Sequence, residues 1–547
     1  MKVRRSFSFR LTPHAMLLTL FFALFALSFA GVGSAQTERW VYTHQESGGR
    51  NDAYAYLLTL GRDGNVYAAG SEFNGSGLED FLVISLTPDS GRQRWHYAYN
   101  PLNNADLADA GLLYAPDGNL YVAGVSSLHS VCDLAVVSLD TQGGQRWTYD
   151  YNGPGNGVDW ANGGPIWGGD GNLYVCGSDQ GTGNQSNRAV VVSLTPLGAE
   201  RWVYAYNRDN TADCFNDVAW GPDGNVYACG QDGWRTGLGP GFLVVSVRPD
   251  SGRERWTYTY DAAGGEKVDQ AFNLVCGPDS NVYACGYSNG TIGGGNRDLT
   301  VVSLTPQGSE RWVYRYNGPA NARDSGTRIR IGPDGNLYVA GYSSNGTDDD
   351  GIVVSLTPSG GERWVYRYDS GPGDDDFYAL SFDPAGRLFA AGLMGDAGTG
   401  SGWLSAVCLT LDGQRLWDYA YSGALGQAYE VAYGSDGSLY LGGATMGASG
   451  WVTFTVICLD ARTGVEEESQ NAKCKMQNAN IKTTPNPFVS FATVPGHERE
   501  AFSLYDVSGR KVGTYQGDRV GEGLRAGVYF LRPEGRDAKP VRIVKVR

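Results

Sequence analysis

The chain has 547 residues, 58 acidic against 43 basic, a formal charge of −15 and 41% hydrophobic residues. That is enough apolar material for a large core, and the acidic balance excludes nucleic acid as a general partner. Seventy-nine glycines, 33 tyrosines and 14 tryptophans fit a turn-rich all-β protein with aromatic packing and few helices.

Lys2, Arg4, Arg5 and Arg10 precede an apolar run from Met16 to Ala30 and then the small residues Gly33-Ser34-Ala35. This order predicts a secretory signal peptide over residues 1–35, cleaved before Gln36. The run of about 15 apolar residues falls short of the ~20 that a bilayer-crossing helix needs, so no membrane span is expected after its removal. Arg4-Arg5-Ser6-Phe7 leaves the twin-arginine route open beside the general secretory one. The mature protein is expected to be secreted or held at the cell surface. Losing four basic and no acidic residues takes the charge from −15 to −19. Residues 472–547 carry 14 basic against 7 acidic side chains, which leaves −26 on residues 36–471 and argues for two separate domains.

From Arg39 onward the chain repeats with a period of 52 to 56 residues. Arg-Trp-x-Tyr recurs at Trp40, Trp95, Trp147, Trp202, Trp256, Trp312 and Trp364, with a shifted copy at Trp417. Asp-Gly-Asn-Leu/Val-Tyr recurs at Asp63, Asp117, Asp170, Asp223 and Asp334, with variants at Asp279, Ala385 and Asp436. Val-Val-Ser-Leu or a relative starts near Val83, Val136, Val191, Val244, Val301, Val353, Ala406 and Val456. Each unit reads as four short strands, because apolar residues alternate between Gly, Asp, Asn and Pro clusters. In the sixth unit these are 328–332, 336–342, 351–357 and 363–368. Asp334-Gly335-Asn336 predicts a tight two-residue hairpin turn. The period of two puts Trp364, Tyr366 and Tyr368 on one face, to pack between units, and Arg363 and Arg367 on the other.

A four-stranded unit of this length predicts a β-propeller. The N-terminus supplies a lone fourth-type strand ahead of the first complete triple, and the eighth triple ends at Asp460 without one. Start and end can therefore share one sheet, closing an eight-bladed ring and burying its edges. The expected architecture is an eight-bladed propeller over residues 36–465, followed by a small immunoglobulin-like β-sandwich.

Two family resemblances follow over about Arg39 to Asp460. Asp324, then Asp334-Gly335-Asn336-Leu337-Tyr338-Val339-Ala340-Gly341, then Val353-Val354-Ser355-Leu356, resembles the SBBP-type repeats of bacterial surface and secreted proteins. Pro249-Asp250-Ser251-Gly252-Arg253-Glu254-Arg255-Trp256 resembles the Gly-to-Trp docking turn of pyrroloquinoline quinone-type propellers. The two families share architecture rather than function.

Residues 466–484 are polar without strand periodicity and read as a linker. The domain at 485–547 opens with Asn486, Pro487 and Phe488. It continues with Tyr505, Asp506, Gly509 and Arg510, then Gly527, Val528 and Tyr529, and ends in a basic apolar segment. This pattern resembles the type A sorting domain of the type IX secretion system. The resemblance implies the secretion machinery as a partner and transport through the outer membrane of a bacterium.

Residues that could carry chemistry are few. His44, His96, His129 and His497 show no metal-ligand spacing, and no Cys-x-x-Cys pair occurs. Cys176, Cys229 and Cys285 replace an alanine of sister repeats and read as core residues, and Cys408 and Cys458 replace the serine of Val-Val-Ser-Leu, which leaves Cys132, Cys214, Cys276 and Cys474 as the better disulfide candidates. Gly286-Tyr287-Ser288-Asn289-Gly290 has the nucleophile-elbow pattern but follows a strand without leading into a helix. Asp52, Asp106, Asp159, Asp213, Asp269, Asp324 and Asp375 recur once per unit, as residues that tie turns do. The runs Asp348-Asp349-Asp350 and Asp374-Asp375-Asp376 could offer oxygen ligands to calcium, although neither continues as an EF-hand loop. No catalytic, cofactor-binding or metal residue is assigned and no cofactor is expected. The reading is a non-enzymatic binding or structural module with a protein or glycan ligand. The alternatives are a carbohydrate-active hydrolase or lyase using funnel carboxylates and a quinone-dependent oxidoreductase.

Overall fold

The computed structural model describes residues 36–461 except 45–51, 74–77, 102–104, 129–130, 183–185, 209, 236–238, 262–267, 290–296, 397–400 and 448–449, and, beyond them, residues 492–493, 501–506, 510–516, 519–520, 524, 527–533 and 541–545. The predicted signal peptide and linker lie outside the described residues. So do His129, His497, Cys474, Asn486, Pro487, Phe488 and Gly509. The chain divides into two compact units, 1–464 and 465–547. Every regular element among the described residues is a strand. No helix there is long and apolar enough to cross a membrane.

The larger unit repeats one motif, a sheet of four antiparallel strands joined in sequence. After β1 (Glu38–His44), the first such sheet contains β2 (Ala53–Leu60), β3 (Val66–Phe73), β4 (Glu79–Leu86) and β5 (Gln93–Tyr99). Five more follow over residues 107–151, 160–206, 214–260, 270–316 and 324–368. In the last of these the first strand runs Asp324–Ile331. It starts four residues before the sequence pattern suggests, because a bulge interrupts the alternation. A seven-stranded sheet holds the rest. Within it, Arg415–Tyr433 is one 19-residue strand. Its start pairs with Ser401–Thr410 and its end with Ser438–Met446. β1 completes this sheet by pairing antiparallel with Val452–Asp460.

Each core cluster takes one face from one sheet and the facing side of the next. Trp364, Tyr366 and Tyr368 pack with Phe377, Leu380 and Leu388 of the following sheet, as their alternation predicts. Cys176, Cys229 and Cys285 are fully buried. The eight described cysteines are free thiols, so Cys132, Cys214 and Cys276 form no disulfide among the described residues. Cys214 and Cys276 stand on different sheets, and Cys132 precedes the strand Asp133–Leu139 of a third.

The Asp-Gly-Asn turn differs from the two-residue expectation. Gly332 N donates to Asn336 O and Gly335 N to Gly332 O, which makes a three-residue loop. Only Gly335, at φ 78°, is left-handed in that loop. The Asp334 side chain is the reason. Its carboxylate accepts from Asn336 N at 3.2 Å, Asn336 Nδ2 at 2.7 Å and the Tyr338 hydroxyl at 2.9 Å. Arg363 in turn donates to Tyr338 Oη at 2.9 Å and Ser355 Oγ at 2.8 Å, so the repeated Asp, Tyr, Ser and Arg form one network.

Adjacent sheets are latched by the repeated tryptophan. Trp256 Nε1 donates to Pro306 O at 3.0 Å. Its ring lies over Gly308, where a Cβ would approach Trp256 Cδ2 to 2.6 Å at φ +84°. Gly335 has a similar φ but open space around its missing Cβ. Gly335→Ala should therefore cost about 1 kcal/mol from backbone strain alone. Gly308→Ala adds displacement of the indole and should cost about 3 kcal/mol. Urea unfolding of both variants checks this; equal losses would show that the ring does not hold the turn.

In the smaller unit Ala501–Asp506, Lys511–Gln516, Gly527–Pro533 and Val541–Lys545 form an antiparallel sheet, and Ala492–Thr493 pairs with Arg519–Val520. Phe502, Leu504 and Leu531 are its buried core.

Candidate functional site

The first strands of the sheets line a central cavity of about 710 Å³. Each of these strands breaks register near its middle, between Ala55 and Leu57, Leu107 and Gly111, Ala161 and Gly163, Phe215 and Asp217, Ala271 and Asn273, Gly326 and Arg328, Phe377 and Ala379, and Ala428 and Glu430. A bulge re-aims the unpaired residue. Tyr56, Asn162, Asn216, Phe272, Thr327, Tyr378 and Tyr429 occupy such positions, and all of them line the cavity. The residue at this position varies among the units.

Six of these seven residues fall into two groups, while Phe272 packs edge-on against Tyr287. Asn162 Nδ2 donates to Phe215 O at 2.9 Å, Asn216 Nδ2 to Ala271 O at 2.7 Å and Thr327 Oγ1 to Phe377 O at 2.7 Å. These three tie one inner strand to the next. Tyr378, Tyr429 and Tyr56 come from consecutive first strands and make an aromatic arc instead. Tyr378 and Tyr429 have ring centroids 6.5 Å apart, and Tyr56 and Tyr429 5.1 Å. Tyr54 stacks on Tyr56 at 5.4 Å with planes 2° apart. All four tyrosines are half-buried. Tyr378 Oη donates to Asp376 Oδ2 at 2.8 Å.

The polar wall is held by its own contacts. Arg328 pairs with Glu430 at 2.9 Å, reaching past the intervening first strand. Asp217 Oδ2 accepts from Asn273 Nδ2 at 2.5 Å and Leu274 N at 3.0 Å. Asn273 Oδ1 accepts from Ile329 N at 3.0 Å and Arg330 Nη1 at 3.2 Å. Burial pushes the Asp217 carboxyl upward and the Arg330 guanidinium downward. Asp109 is exposed in the cavity. Enclosure by protein, with Glu79 nearby, pushes its carboxyl up to about 6, still ionised at neutral pH. A second hollow of about 250 Å³ adjoins the first and shares Gln427 and Tyr429 with it.

The once-per-unit aspartates lie elsewhere, beneath the loops. Asp106 N donates to Glu79 O, and Asp106 Oδ1 accepts from Ser127 N, both at 2.8 Å. Asp159, Asp213, Asp269 and Asp375 repeat this double tie. Asp324 accepts from Gly318 N and Asp52 from Val452 N, each at 2.8 Å. Their role is to fasten loops. The acidic runs are engaged as well: Asp349 pairs with Arg323 at 2.6 Å, Asp350 with Arg367 at 2.7 Å, and Asp374 accepts from Asp349 N. Among the described residues no three His, Cys, Asp or Glu side chains gather as metal ligands would. His44 and His96 approach with ring centroids 6.1 Å apart, and His44 is paired with Glu72. Ser288 sits buried within the strand Val282–Asn289, its hydroxyl 2.6 Å from Thr300 Oγ1, which removes it as a nucleophile.

Of the C-terminal motif, Tyr505 pairs with Phe530 and Asp506 with Tyr529 on adjacent strands. Gly527 and Val528 begin the strand of Tyr529, and Arg510 is exposed.

Four-stranded antiparallel sheets repeated around one cavity define a β-propeller repeat protein. Residues 79–325 match the family described as outer membrane protein assembly factor BamB, so the chain is similar to BamB-type repeats over that span. No curated protein matches this chain. Solved structures similar to it include Sqt1 from Chaetomium thermophilum, at 12% identity and TM-score 0.49, covering 77% of this chain and 98% of that one. Quinohemoprotein alcohol dehydrogenase from Comamonas testosteroni is similar at 12% identity and TM-score 0.47, covering 78% and 76%. BamB from Moraxella catarrhalis is similar at 15% identity and TM-score 0.40, covering 76% and 99%. These likenesses concern fold alone.

Proposed function

We propose that the protein is exported by a bacterium and works outside the cell as an eight-bladed, non-enzymatic binding propeller, delivered by a C-terminal immunoglobulin-like sorting domain. The observation that carries the binding role is the central cavity, because the repeats diverge at the bulge residues that face it. Eight tryptophan signatures and the pairing of β1 with the last complete triple support the blade count. A hydrolytic role is disfavoured by the engagement of Glu430 with Arg328 and of Asp217 with Asn273, since glycoside cleavage needs two available carboxyl groups.

Fractionating native cells, with the tail intact and with the chain ended after Gln470, tests the export and sorting reading. The full chain is expected at the surface or in the medium and the shortened one in the periplasm. An unchanged location would overturn the sorting role and leave the tail as a spacer domain.

A further inference from the structure

We propose that the tyrosine arc of the central cavity is a binding site for a neutral glycan chain. This rests on the binding-module reading and names its ligand class. A sugar ring presents an apolar C–H face and a rim of hydroxyls, so it suits a site with flat aromatic surface on one side and mixed donors and acceptors on the other. The cavity has that division: Tyr378, Tyr429 and Tyr56 lie side by side on three consecutive first strands, while Asp109, Asn273 and the Arg328–Glu430 pair supply the polar groups.

Charge selects a neutral ligand over a uronate. Arg328 is already matched by Glu430, and Arg330 is held by the Asn273 carbonyl and Ile329 O near the ionisable Asp217. Asp109 adds a negative charge to the exposed wall, which would repel an acidic sugar.

Shape selects a chain over a single sugar. The second hollow shares Gln427 and Tyr429 with the cavity and is walled by Tyr54, Leu393, Leu425 and Met446. Tyr429 therefore stands where the two spaces meet, and a ligand filling both would cross its ring. Tyr54 and Tyr56 lie parallel, Tyr429 is tilted 55° to Tyr56 and Tyr378 29° to Tyr429, so the rings follow a curved wall, unlike the cages that surround a quaternary ammonium.

The test uses the mature chain in native affinity electrophoresis through gels containing neutral polysaccharides (xylan, mixed-linkage β-glucan, galactomannan, arabinan) or acidic ones (alginate, polygalacturonate). Retardation by at least one neutral polysaccharide and by no acidic one is expected. Tyr429→Ala should weaken it by about tenfold or more, Tyr429→Phe should retain it because the ring remains, and Leu197→Ala, an exposed control, should not change it. Should Tyr429→Ala fail to fold, Gln427→Ala takes its place with a loss of several-fold. Retardation by acidic polysaccharides only, by none, or to an extent that both Tyr429→Ala and Gln427→Ala leave unchanged would overturn the glycan assignment. Failure with normal export in the fractionation would overturn the ligand class alone; failure with the protein retained inside the cell would count against the extracellular reading as well.

Discussion

Removing the strand Glu38–His44 is expected to leave a protein that unfolds at a much lower temperature or aggregates on expression. Its loss strips Val452–Asp460 of its backbone partner along the whole register from Glu38 opposite Leu459 to His44 opposite Phe454. An apolar strand edge exposed in this way invites association with other chains. The side chains add to the effect. Trp40 is 9% exposed and packs among Leu82, Ile84, Tyr440, Phe454 and Val456, so it touches the sheets on both sides of the closure. Its Nε1 donates to Pro88 O at 2.9 Å, Tyr42 donates to Gln93 Oε1 at 2.5 Å, and Tyr419 donates to Glu38 Oε1 at 2.8 Å. Arg39 reaches Asp436 Oδ2 at 2.9 Å, restoring the network that Arg363 forms within its own sheet. Truncating Trp40 to alanine alone should cost about 3 to 5 kcal/mol. Thermal unfolding of the chain started at residue 45, with and without an added peptide of residues 36–44, measures the closure directly. Recovery of the melting temperature with the peptide is expected. An unshifted temperature without it would show that the ring holds without β1.

That closure is legible in the sequence because it follows from counting: one fourth-type strand too few at the end and one in surplus at the start. The sheets and the aromatic interfaces are legible for a related reason. Trp364, Tyr366 and Tyr368 alternate with other residues, and strand geometry turns alternation into faces. The cavity is not legible in that way. Tyr56, Tyr378 and Tyr429 sit at bulges, where the period of two breaks and a side chain turns away from the face its neighbours predict. Their signal is a negative one, variation at the same strand position from unit to unit, visible only once the repeats are superimposed. The acidic runs mislead for the opposite reason. Sequence shows carboxylates in a row but does not show Arg323 and Arg367, which approach Asp349 and Asp350 from the loop before Asp324–Ile331 and from the strand Glu362–Tyr368. The long strand Arg415–Tyr433 is hidden too, since Gly423 within it suggests a turn where the chain runs on in extended form.

Thermal stability is expected to rise as the pH is lowered from 8 to about 5 and to fall again below about 4. Asp106, Asp159 and Asp324 are pushed up to about 6 and Asp213 to about 7. Burial is the main cause, aided by neighbouring carboxyls such as Asp80 beside Asp106, Asp179 beside Asp159, Asp298 beside Asp324 and Asp232 beside Asp213. In the unfolded chain an aspartate titrates near ~3.9. Between that value and the folded one, the unfolded chain holds fewer protons than the folded protein, so stability falls as pH rises. The turn aspartates act in the other direction. Burial alone would raise Asp63, Asp117, Asp279 and Asp334, but hydrogen bonds from the neighbouring asparagine and tyrosine outweigh it and hold them below their ordinary value. Their contribution is present above ~3.9 and is lost as pH falls through the folded values. The two sets place the maximum between about pH 4 and 5. Each tenfold change in a carboxylate's proton affinity is worth ~1.4 kcal/mol. The raised carboxyls lie just beneath the surface loops, where solvent screens part of this, so about 1 kcal/mol each and about 4 kcal/mol for the four is the expected scale. Calorimetric unfolding across pH 4 to 8 at fixed salt checks the sign, and Asp213→Asn checks the origin. Asparagine can still accept from Gly233 N through its side-chain oxygen but does not ionise, so this variant should lose part of the slope while keeping its stability at pH 5. A melting temperature that climbs from pH 5 to 8 would show that the loop hydrogen bonds to these carboxylates outweigh their burial.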